Sequence, residues 1–362
     1  MRTAHTWRSA CVPNPPLPFA HTVAAIIARD QLVGTIAYVS TTPLVTESVH
    51  HVLNSTQRRT FDQLLAIGGP RPTCPPGLPE RLRETILAGT SQALSSWSDR
   101  QLYLTKSQML TALRCEGQVL AYAAAPQGGS TMRAPTAVGI VSHRAIQIAH
   151  TSPGLPIRHY VTEAIAAACA EAQFGSYWSD APEGVKSDLI MQMVSRVTNF
   201  LDSWPPLDDR WTPRFEEPLQ ARVGKLVLSA RADLVLGRPR ANRQQSMLYC
   251  DLKSSGLHDT HEAEGRFYAL VATLRHGVPP FRSTVYSLAS GDYTDPDVTT
   301  DTLMASAEQV VSAVNAIVAV MMEQRRPALA PGQHCSWCPV GATCVASTLG
   351  AARAPQVHPV AS

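Results

Sequence analysis

Two short acidic segments carry residues that could bind a metal ion and act on a phosphate group. The run Leu248-Tyr249-Cys250-Asp251-Leu252-Lys253 follows Arg231-Ala232-Asp233-Leu234-Val235 in the chain. Side chains two positions apart on a β-strand lie on the same face, so Asp251 and Lys253 share a face. If Asp233 lies at the same height on a neighbouring strand, two carboxylates converge on a site for a hard cation such as Mg²⁺. This arrangement suits metal-assisted hydrolysis of a phosphodiester.

An ion pair between neighbouring strands would explain the same residues without any chemistry. An acidic residue two positions before a lysine is expected by chance about 0.3 times in a chain of this composition, so the spacing alone is weak. The order of the motifs favours the metal site. His143 lies on an earlier predicted helix, Asp233 and then Asp251 and Lys253 lie on predicted strands, and Tyr268 lies on the helix that follows.

A second group of possible metal ligands lies near the C-terminus. Cys335, Cys338 and Cys344 stand in a Cys-x2-Cys-x5-Cys arrangement, with a proline and a glycine between them for tight turns. Three thiolates so close together can surround one soft metal centre. His334 is a candidate fourth ligand, which would complete a Cys3His zinc site, although its place directly beside Cys335 is awkward.

The elements that must position these residues form an α/β pattern. Apolar residues at helical spacing predict helices at about 79–94, 105–119, 137–150, 160–173, 184–204, 260–276 and 301–324, with Cys115 in the second half of the second one. Short β-prone segments predict strands at 213–218, 225–230, 232–237, 247–253 and 283–288. Helices, then strands, then a helix and a further strand indicate a core with one mixed sheet.

The run from Gly139 to His143, Asp233, Asp251-Leu252-Lys253 and Tyr268 resembles the successive motifs of the PD-(D/E)XK nucleases of the RecB type, including CRISPR-associated iron-sulfur exonucleases. The resemblance covers about residues 104–346. It implies a restriction-endonuclease-like fold, in which a mixed central sheet is flanked by helices. It also implies helical additions and a C-terminal cysteine cluster packed against an upstream helix.

The same resemblance assigns roles to the residues of the motifs. It implies that His143, Asp233 and Asp251 are catalytic residues that bind Mg²⁺ or Mn²⁺, and that Leu252 offers its backbone carbonyl to the metal. It implies that Lys253 assists the attacking water or the phosphate.

Glu264 and Tyr268 are similar to an accessory pair that contacts DNA in these nucleases, where the first residue is usually Gln. Their i, i+4 spacing places both on one helical face. A carboxylate near a phosphate repels it where an amide would donate a hydrogen bond, so Glu264 puts this DNA contact in doubt. The alternative is that Glu264 is an ordinary solvated helix residue.

In the nucleases that the chain resembles, a 4Fe-4S cluster is held by one upstream cysteine and three beyond the nuclease motifs. The resemblance implies that Cys115, Cys335, Cys338 and Cys344 hold such a cluster here. A set of four thiolates favours iron-sulfur over zinc. Cys11, Cys74, Cys169 and Cys250 are interpreted as ordinary thiols.

The chain is therefore divided into a variable N-terminal region at residues 1–80, a nuclease domain with the iron-sulfur clasp at 81–348, and a disordered tail at 349–362. The resemblance implies a metal-dependent deoxyribonuclease, an exonuclease on single-stranded or frayed ends, in DNA repair, recombination or phage defence. A helicase or a defence-system protein is the implied partner. The alternatives are a non-catalytic subunit that binds nucleic acid or assembles a complex on the nuclease fold, and a zinc-stabilised interaction protein.

Composition limits the partners further. The net charge is +3, which excludes a polybasic nucleic-acid binder, so any contact with DNA must be local; Arg231, Arg266 and Arg275 are candidates. No segment approaches the roughly 20 apolar residues of a membrane span, and the prolines at 13–18 interrupt any signal sequence. The sequence thus predicts a cytoplasmic protein without a membrane partner.

Overall fold

The computed structural model describes residues 53–98, 100–125, 132–240, 243–258 and 260–347. Most of the predicted N-terminal region, the predicted thiol at Cys11 and the predicted disordered tail at 349–362 lie outside the described residues. The helices are α1 (Ser55–Arg59, continued by a π-helical segment, Thr60–Leu65), α2 (Leu78–Ser96), α3 (Lys106–Arg114), α4 (Glu116–Ala124), α5 (Ala134–Thr151), α6 (Ile157–Ala168), α7 (Ala172–Asp180), α8 (Glu183–Ser203), α9 (His261–His276) and α10 (Thr300–Met321).

The strands form one mixed sheet. They are β1 (Leu102–Thr105), β2 (Arg214–Val223), β3 (Leu226–Leu236), β4 (Leu248–Lys253), β5 (Arg282–Ser287) and β6 (Tyr293–Thr294). Strand β2 pairs antiparallel along β3, and β1 pairs parallel with the first part of β3. Strand β4 pairs antiparallel with the last three residues of β3 and parallel with β5, which in turn pairs antiparallel with β6.

Helices cover both faces of this sheet, which confirms the predicted fold class. One core cluster joins β3 and β4 to α2, α3, α9 and α10, and the second joins the opposite face to α5, α6 and α8. Strand β4 is buried over its first five residues because it lies between these two layers. Helix α9 connects the parallel strands β4 and β5, as a crossover connection must.

The helix predicted at 105–119 is interrupted at Cys115. Thr105 caps α3, and its side chain and that of Gln108 form a reciprocal capping box. Cys115 is extended, with φ −159° and ψ 108°, and separates α3 from α4. The prediction that Cys115 lies within a helix is therefore wrong; apolar spacing continues across a break that only the backbone reveals.

Other boundaries also differ from the predictions. The two strands predicted at 225–230 and 232–237 are one strand, β3, and the helix predicted at 160–173 is divided between α6 and α7. Strand β1 was not predicted because it has only four residues. The backbone hydrogen bonds that make this segment a strand come from its pairing with β3, which the local sequence does not reveal.

Residues 53–80, which were assigned to the N-terminal region, pack against the sheet-and-helix core. Leu53, Phe61 and Leu64 lie in the second core cluster, whereas Leu78 lies in the first. The Asn54 amide also donates to the Asp202 carbonyl at the end of α8. The described part of this region therefore contributes to the same hydrophobic cores as the predicted nuclease domain.

Helix α10 is long and apolar enough, by length and composition, to cross a membrane. Half of its most apolar window is buried within the protein. Leu303, Val310, Val314 and Val318 lie at helical spacing and belong to the first core cluster. Its apolar character is therefore explained by packing against the other helices of that layer.

Candidate active site

The candidate site lies where β3 and β4 separate. Their ladder runs from Leu236 and Leu248 to Leu234 and Cys250, and the next pair in this register would be Asp233 and Asp251. The face of β3 that packs in the first core cluster also changes near this point. Early in the strand the even-numbered Leu226 and Leu228 belong to that cluster, whereas near its end the odd-numbered Val235 does. The β3–β4 ladder therefore ends, and the buried face of β3 changes, next to Asp233.

His143 on α5, Glu216 on β2 and Asp233 on β3 bring three possible metal ligands together. One ligand atom from each residue lies within 4.8 Å of the others, and this is the group of that kind found among the described residues. His143 Nδ1 is 3.5 Å from Asp233 Oδ1 and 3.9 Å from Glu216 Oε1. One imidazole and two carboxylates form a donor set suited to Mn²⁺ or Mg²⁺.

The backbone at Glu216 is unusual for a strand. Its φ of 50° lies in the left-handed region, and the β2–β3 ladder omits the pair between Glu216 and Asp233. A left-handed conformation costs a non-glycine residue about 1 kcal/mol. Such strain commonly occurs at functional sites, where the surrounding structure maintains it.

Leu252 connects the acidic strands to the histidine. Its N–H donates to Asp233 Oδ2 at 2.6 Å, and its carbonyl is 3.0 Å from His143 Nε2. A carbonyl only accepts, so Nε2 carries the proton. In the neutral imidazole, Nδ1 is then unprotonated and faces the two carboxylates, as a metal ligand must.

Burial disfavours the charged forms of this group. It lowers the pKa of His143, so the imidazole tends to be neutral. Burial, and next the Asp251 carboxylate, raise the pKa of Asp233 to about 7. Burial, followed by the Asp233 carboxylate, also raises the pKa of Glu216. A bound divalent cation would relieve the repulsion between these carboxylates.

Asp251, Lys253 and Glu264 form a second group with Lys106, the first residue of α3. Lys253 Nζ is 2.7 Å from Asp251 Oδ2 and 2.8 Å from Glu264 Oε2. Lys106 Nζ is 3.0 Å from Asp251 Oδ1 and 2.8 Å from Glu264 Oε2. The Tyr268 hydroxyl lies 2.9 Å from Asp251 Oδ1.

These contacts decide the ionisation of Asp251. Burial alone would raise its pKa, but the ammonium groups of Lys106 and Lys253 outweigh burial and hold the pKa well below its ordinary value. Burial would lower the pKa of Lys253, but the Asp251 and Glu264 carboxylates raise it above the ordinary lysine value. Burial, and next Asp251, raise the pKa of Tyr268, so its hydroxyl remains protonated.

The structure brings the predicted nuclease residues together in two adjoining groups. His143, Asp233 and Leu252 are in contact, and Asp251, Lys253, Glu264 and Tyr268 are in contact. Glu264 is not the solvated residue of the alternative interpretation, because its side chain is only 13% exposed and contacts two lysines. The other alternative is an ion pair between neighbouring strands. Lys253 and Asp251 do form an ion pair, but both residues lie on the same strand.

Two residues of these groups were missed by the sequence analysis. No spacing pattern marks Glu216, because its relation to Asp233 exists only across the β2–β3 pair. Lys106 did carry a signal, since it is one of only four lysines in the chain. Its contact with Asp251, 145 positions away, could not be read from that rarity.

Comparison with protein families identifies the chain. A family model described as the PD-(D/E)XK nuclease superfamily matches residues 104–345. The chain belongs to the PD-(D/E)XK nuclease superfamily. Among curated proteins, no sequence matches it. The family match confirms the superfamily part of the predicted resemblance, and the match includes both groups of the candidate site.

PD-(D/E)XK nucleases use divalent metals, and nucleic acid is the substrate that this fold implies. The donor set fits that chemistry, because two carboxylates and an unprotonated imidazole nitrogen lie close together and can all coordinate one cation. Asp251 lies beside this set but is already neutralised by lysines. The superfamily assignment and the geometry therefore agree on one possible acidic metal site.

The cysteine segments of this PD-(D/E)XK protein lie close to each other. Glu116, next to Cys115, forms an ion pair with Arg325 and donates its N–H to the Ala328 carbonyl at 3.1 Å. The Arg114 guanidinium lies 6.0 Å from the centre of the Trp337 ring. These contacts connect the α3–α4 junction to the segment that contains the other three cysteines.

Among the described residues, the four cysteines and His334 do not form a group of three possible metal ligands within 4.8 Å of one another, unlike His143, Glu216 and Asp233. Cys115, Cys335, Cys338 and Cys344 are half-buried, and the Gly332 N–H donates to Cys335 Sγ at 3.4 Å. The buried His334 Nε2 has no hydrogen-bond partner among the described residues, which suits a zinc ligand. The thiolate set and the orphaned imidazole nitrogen lead to different metals, so the iron-sulfur cluster stays a prediction.

Proposed function

We propose that the chain is a metal-dependent deoxyribonuclease of the RecB type, acting as an exonuclease on single-stranded or frayed DNA ends. The observation that supports this most directly is the contact of both acidic groups through Leu252. Its N–H binds Asp233 and its carbonyl binds His143, whereas its neighbours Asp251 and Lys253 form the second group. On one strand, Leu252 therefore contacts two possible ligands for a hard cation, and the next residue is the charged Lys253.

In this proposal His143, Glu216 and Asp233 hold Mg²⁺ or Mn²⁺. Asp251, which pairs with two lysines, and the Leu252 carbonyl, which faces His143 Nε2, would have to exchange these contacts to become further ligands. When bound, the ion supplies a more acidic water and neutralises phosphate charge. Lys253 orients the nucleophile or stabilises negative charge on the phosphate. Tyr268 keeps the Asp251 carboxylate oriented by hydrogen bonding.

Arg231 is the arginine that we propose contacts the DNA backbone. Its side chain is 66% exposed, and its guanidinium is 3.7 Å from Glu216 at the edge of the metal-ligand group. Arg266 instead pairs with Glu262 on the same helix. Phosphate contacts of this kind increase affinity without selecting sequence, which is suited to a nuclease that acts at ends.

We propose a role in DNA repair, recombination or phage defence, with a helicase or defence-system partner that supplies the strand, in the cytoplasm. We further propose that Cys115, Cys335, Cys338 and Cys344 hold a 4Fe-4S cluster. The proximity of the α3–α4 junction to the cysteine-rich segment supports this clasp. Closing a loop of more than two hundred residues would restrict the unfolded chain.

The test compares wild type with Asp251→Ala on end-labelled single-stranded and double-stranded DNA in Mg²⁺ or Mn²⁺. Asp188→Ala on the exposed face of α8 is the matched control. We expect Asp251→Ala to lose at least about 100-fold in rate, and Asp188→Ala to match wild type. Labels at each end report polarity, and a circular single strand separates exonuclease from endonuclease action. Equal cleavage by wild type and Asp251→Ala would indicate a contaminating nuclease and contradict the proposal.

The second candidate function is a non-catalytic subunit that binds nucleic acid. The close contact of Glu264 with Lys253 favours it, because two carboxylates already occupy that ammonium group. Absence of cleavage in every metal, together with retained DNA binding in a gel-shift assay, would support this candidate over the nuclease.

A further inference from the structure

Lys106 makes the polar centre of the site a closed ring of four charged groups. Each ammonium group, from Lys106 or Lys253, contacts both carboxylates, from Asp251 and Glu264, at 2.7 to 3.0 Å. We refer to these four residues as the charge ring. With all four groups ionised, two positive and two negative charges give the ring no net charge.

The ring is shielded from solvent, so its net charge affects the stability of the folded protein. Its side chains are 6% exposed for Asp251, 13% for Glu264, 16% for Lys106 and 24% for Lys253. Removal of one partner from a buried ion pair leaves a charge without compensation, which is far more costly than loss of a surface pair. Water that filled the place of the Lys106 ammonium group would therefore not compensate for the lost positive charge.

The fold places Lys106 in the ring from a distant part of the sequence. Strand β1 pairs parallel with β3 up to Thr105 and Ser229, and Thr105 then caps the helix that Lys106 begins. The ammonium group lies 3.4 Å from the Tyr268 hydroxyl and 4.9 Å from the centre of its ring. The cap, the strand pair and the aromatic ring together hold this lysine in place.

We propose that Lys106 is a positioning residue that neutralises Glu264 and orients Asp251, leaving Lys253 able to act on a substrate phosphate. Without Lys106, the remaining three groups would carry one net negative charge, and Lys253 would be the sole partner of two carboxylates. An anionic phosphodiester would then approach a negative site. This inference rests on the proposed nuclease function for its chemical role, but the charge balance is a property of the protein alone.

The first test measures unfolding of the full-length protein in urea with Lys106→Met, Glu264→Gln and the double variant. We expect Lys106→Met to increase the unfolding equilibrium constant by about 10- to 100-fold. We expect Glu264→Gln to reverse most of that effect in the double variant, because the ring regains zero net charge. Lys186→Met, which removes an i, i+3 pair with the exposed Glu183, is the matched control and should change little.

The second test measures single-turnover cleavage of end-labelled DNA by the same variants in Mn²⁺. We expect Lys106→Met to lower the single-turnover rate constant by about 10- to 100-fold and Glu264→Gln to restore most of it. Lys253→Met should remain inactive when combined with Glu264→Gln, because Lys253 acts on the substrate and Lys106 does not. A lysine with a merely structural role would not show this difference between the two double variants.

Additive effects of Lys106→Met and Glu264→Gln on unfolding would overturn the proposal, as would equal rescue of both lysine variants. If Lys106→Met does not fold, recovery of a folded protein in the double variant supports the proposal, and failure of both variants to fold overturns it. An inactive wild type would contradict the nuclease proposal alone, since the unfolding measurements still decide whether Lys106 balances Glu264.

Discussion

Asp233 and Asp251 are adjacent beyond the end of the β3–β4 ladder, yet their surroundings move their pKa values in opposite directions. Burial, and next the Asp251 charge, raise the pKa of Asp233 to about 7. Although burial also opposes ionisation of Asp251, Lys106 and Lys253 hold the pKa of Asp251 well below its ordinary value. Near neutral pH, the metal-free protein thus has one stably ionised carboxylate beside one that is close to its titration point.

The raised pKa of Asp233 predicts that Asp233→Asn stabilises the metal-free protein at pH 8. A raised carboxyl pKa favours folding below the unfolded-state value of 3.8, and this contribution is lost as pH rises to about 7. The loss is on the order of 4 kcal/mol by pH 8. Asparagine avoids it and retains an oxygen to accept from the Leu252 N–H. Urea unfolding at pH 5 and pH 8 should show a gap between variant and wild type that widens with pH.

Mn²⁺ should reverse that ranking at pH 8. It binds the folded wild type and increases its free energy of unfolding, whereas Asp233→Asn lacks one carboxylate ligand and gains much less. Asp188→Asn, at an exposed position, serves as the control and should respond like wild type. Equal stabilisation of wild type and Asp233→Asn by Mn²⁺ would exclude Asp233 as a ligand.

Loss of the Tyr268 hydroxyl should destabilise the site from within. The hydroxyl lies 2.7 Å from the Arg231 carbonyl and 2.9 Å from Asp251 Oδ1, and Tyr268 is buried. Tyr268→Phe removes both contacts, so we expect a loss of about 1–2 kcal/mol in the free energy of unfolding. Tyr122→Phe changes a tyrosine that is 46% exposed and should have little effect. Equal stability of the two variants would contradict the assigned hydrogen bonds.

The identity of the C-terminal metal should follow from colour and from two substitutions. An iron-sulfur protein purified without oxygen is brown, and we expect Cys115→Ala to lose that colour and to lower the melting temperature. His334→Ala should keep the colour under the cluster proposal. Cys169→Ala, at a half-buried cysteine directly after α6, is the control. A colourless protein that loses zinc on His334→Ala but not on Cys115→Ala would establish the Cys3His alternative.

Two helix glycines should respond oppositely to alanine. A Cβ at Gly265 would lie 2.9 Å from the Ser283 carbonyl oxygen, so α9 would have to move away from β5. We expect Gly265→Ala to destabilise the protein by about 1–3 kcal/mol and to displace Glu264 and Tyr268. At Gly139 the nearest atom would be Ser254 Oγ at 3.5 Å, an ordinary contact, so alanine should stabilise α5 by about 0.5–1 kcal/mol. Thermal unfolding of both variants tests the close α9–β5 packing.

The sequence by itself determined the α/β class and most of the residues of the candidate site. Period-two and helical patterns place Asp251 and Lys253 on one strand, Tyr268 on the helix after it and His143 on an earlier helix. These relations are local, because strand and helix geometry fix which neighbours share a face. The order of such motifs then indicated the PD-(D/E)XK superfamily, which the family match confirms.

Only the tertiary structure decided which charges meet. The separation of β3 from β4 directs Asp233 toward Leu252 and His143, and the β2–β3 pair adds Glu216 in a left-handed conformation. The β1–β3 pair brings Lys106 to Glu264 and to Asp251, which is 145 positions away in the sequence. The spacing of residues in the sequence does not predict such contacts. They depend on the register between strands and on the connections between elements, which are set when the core packs.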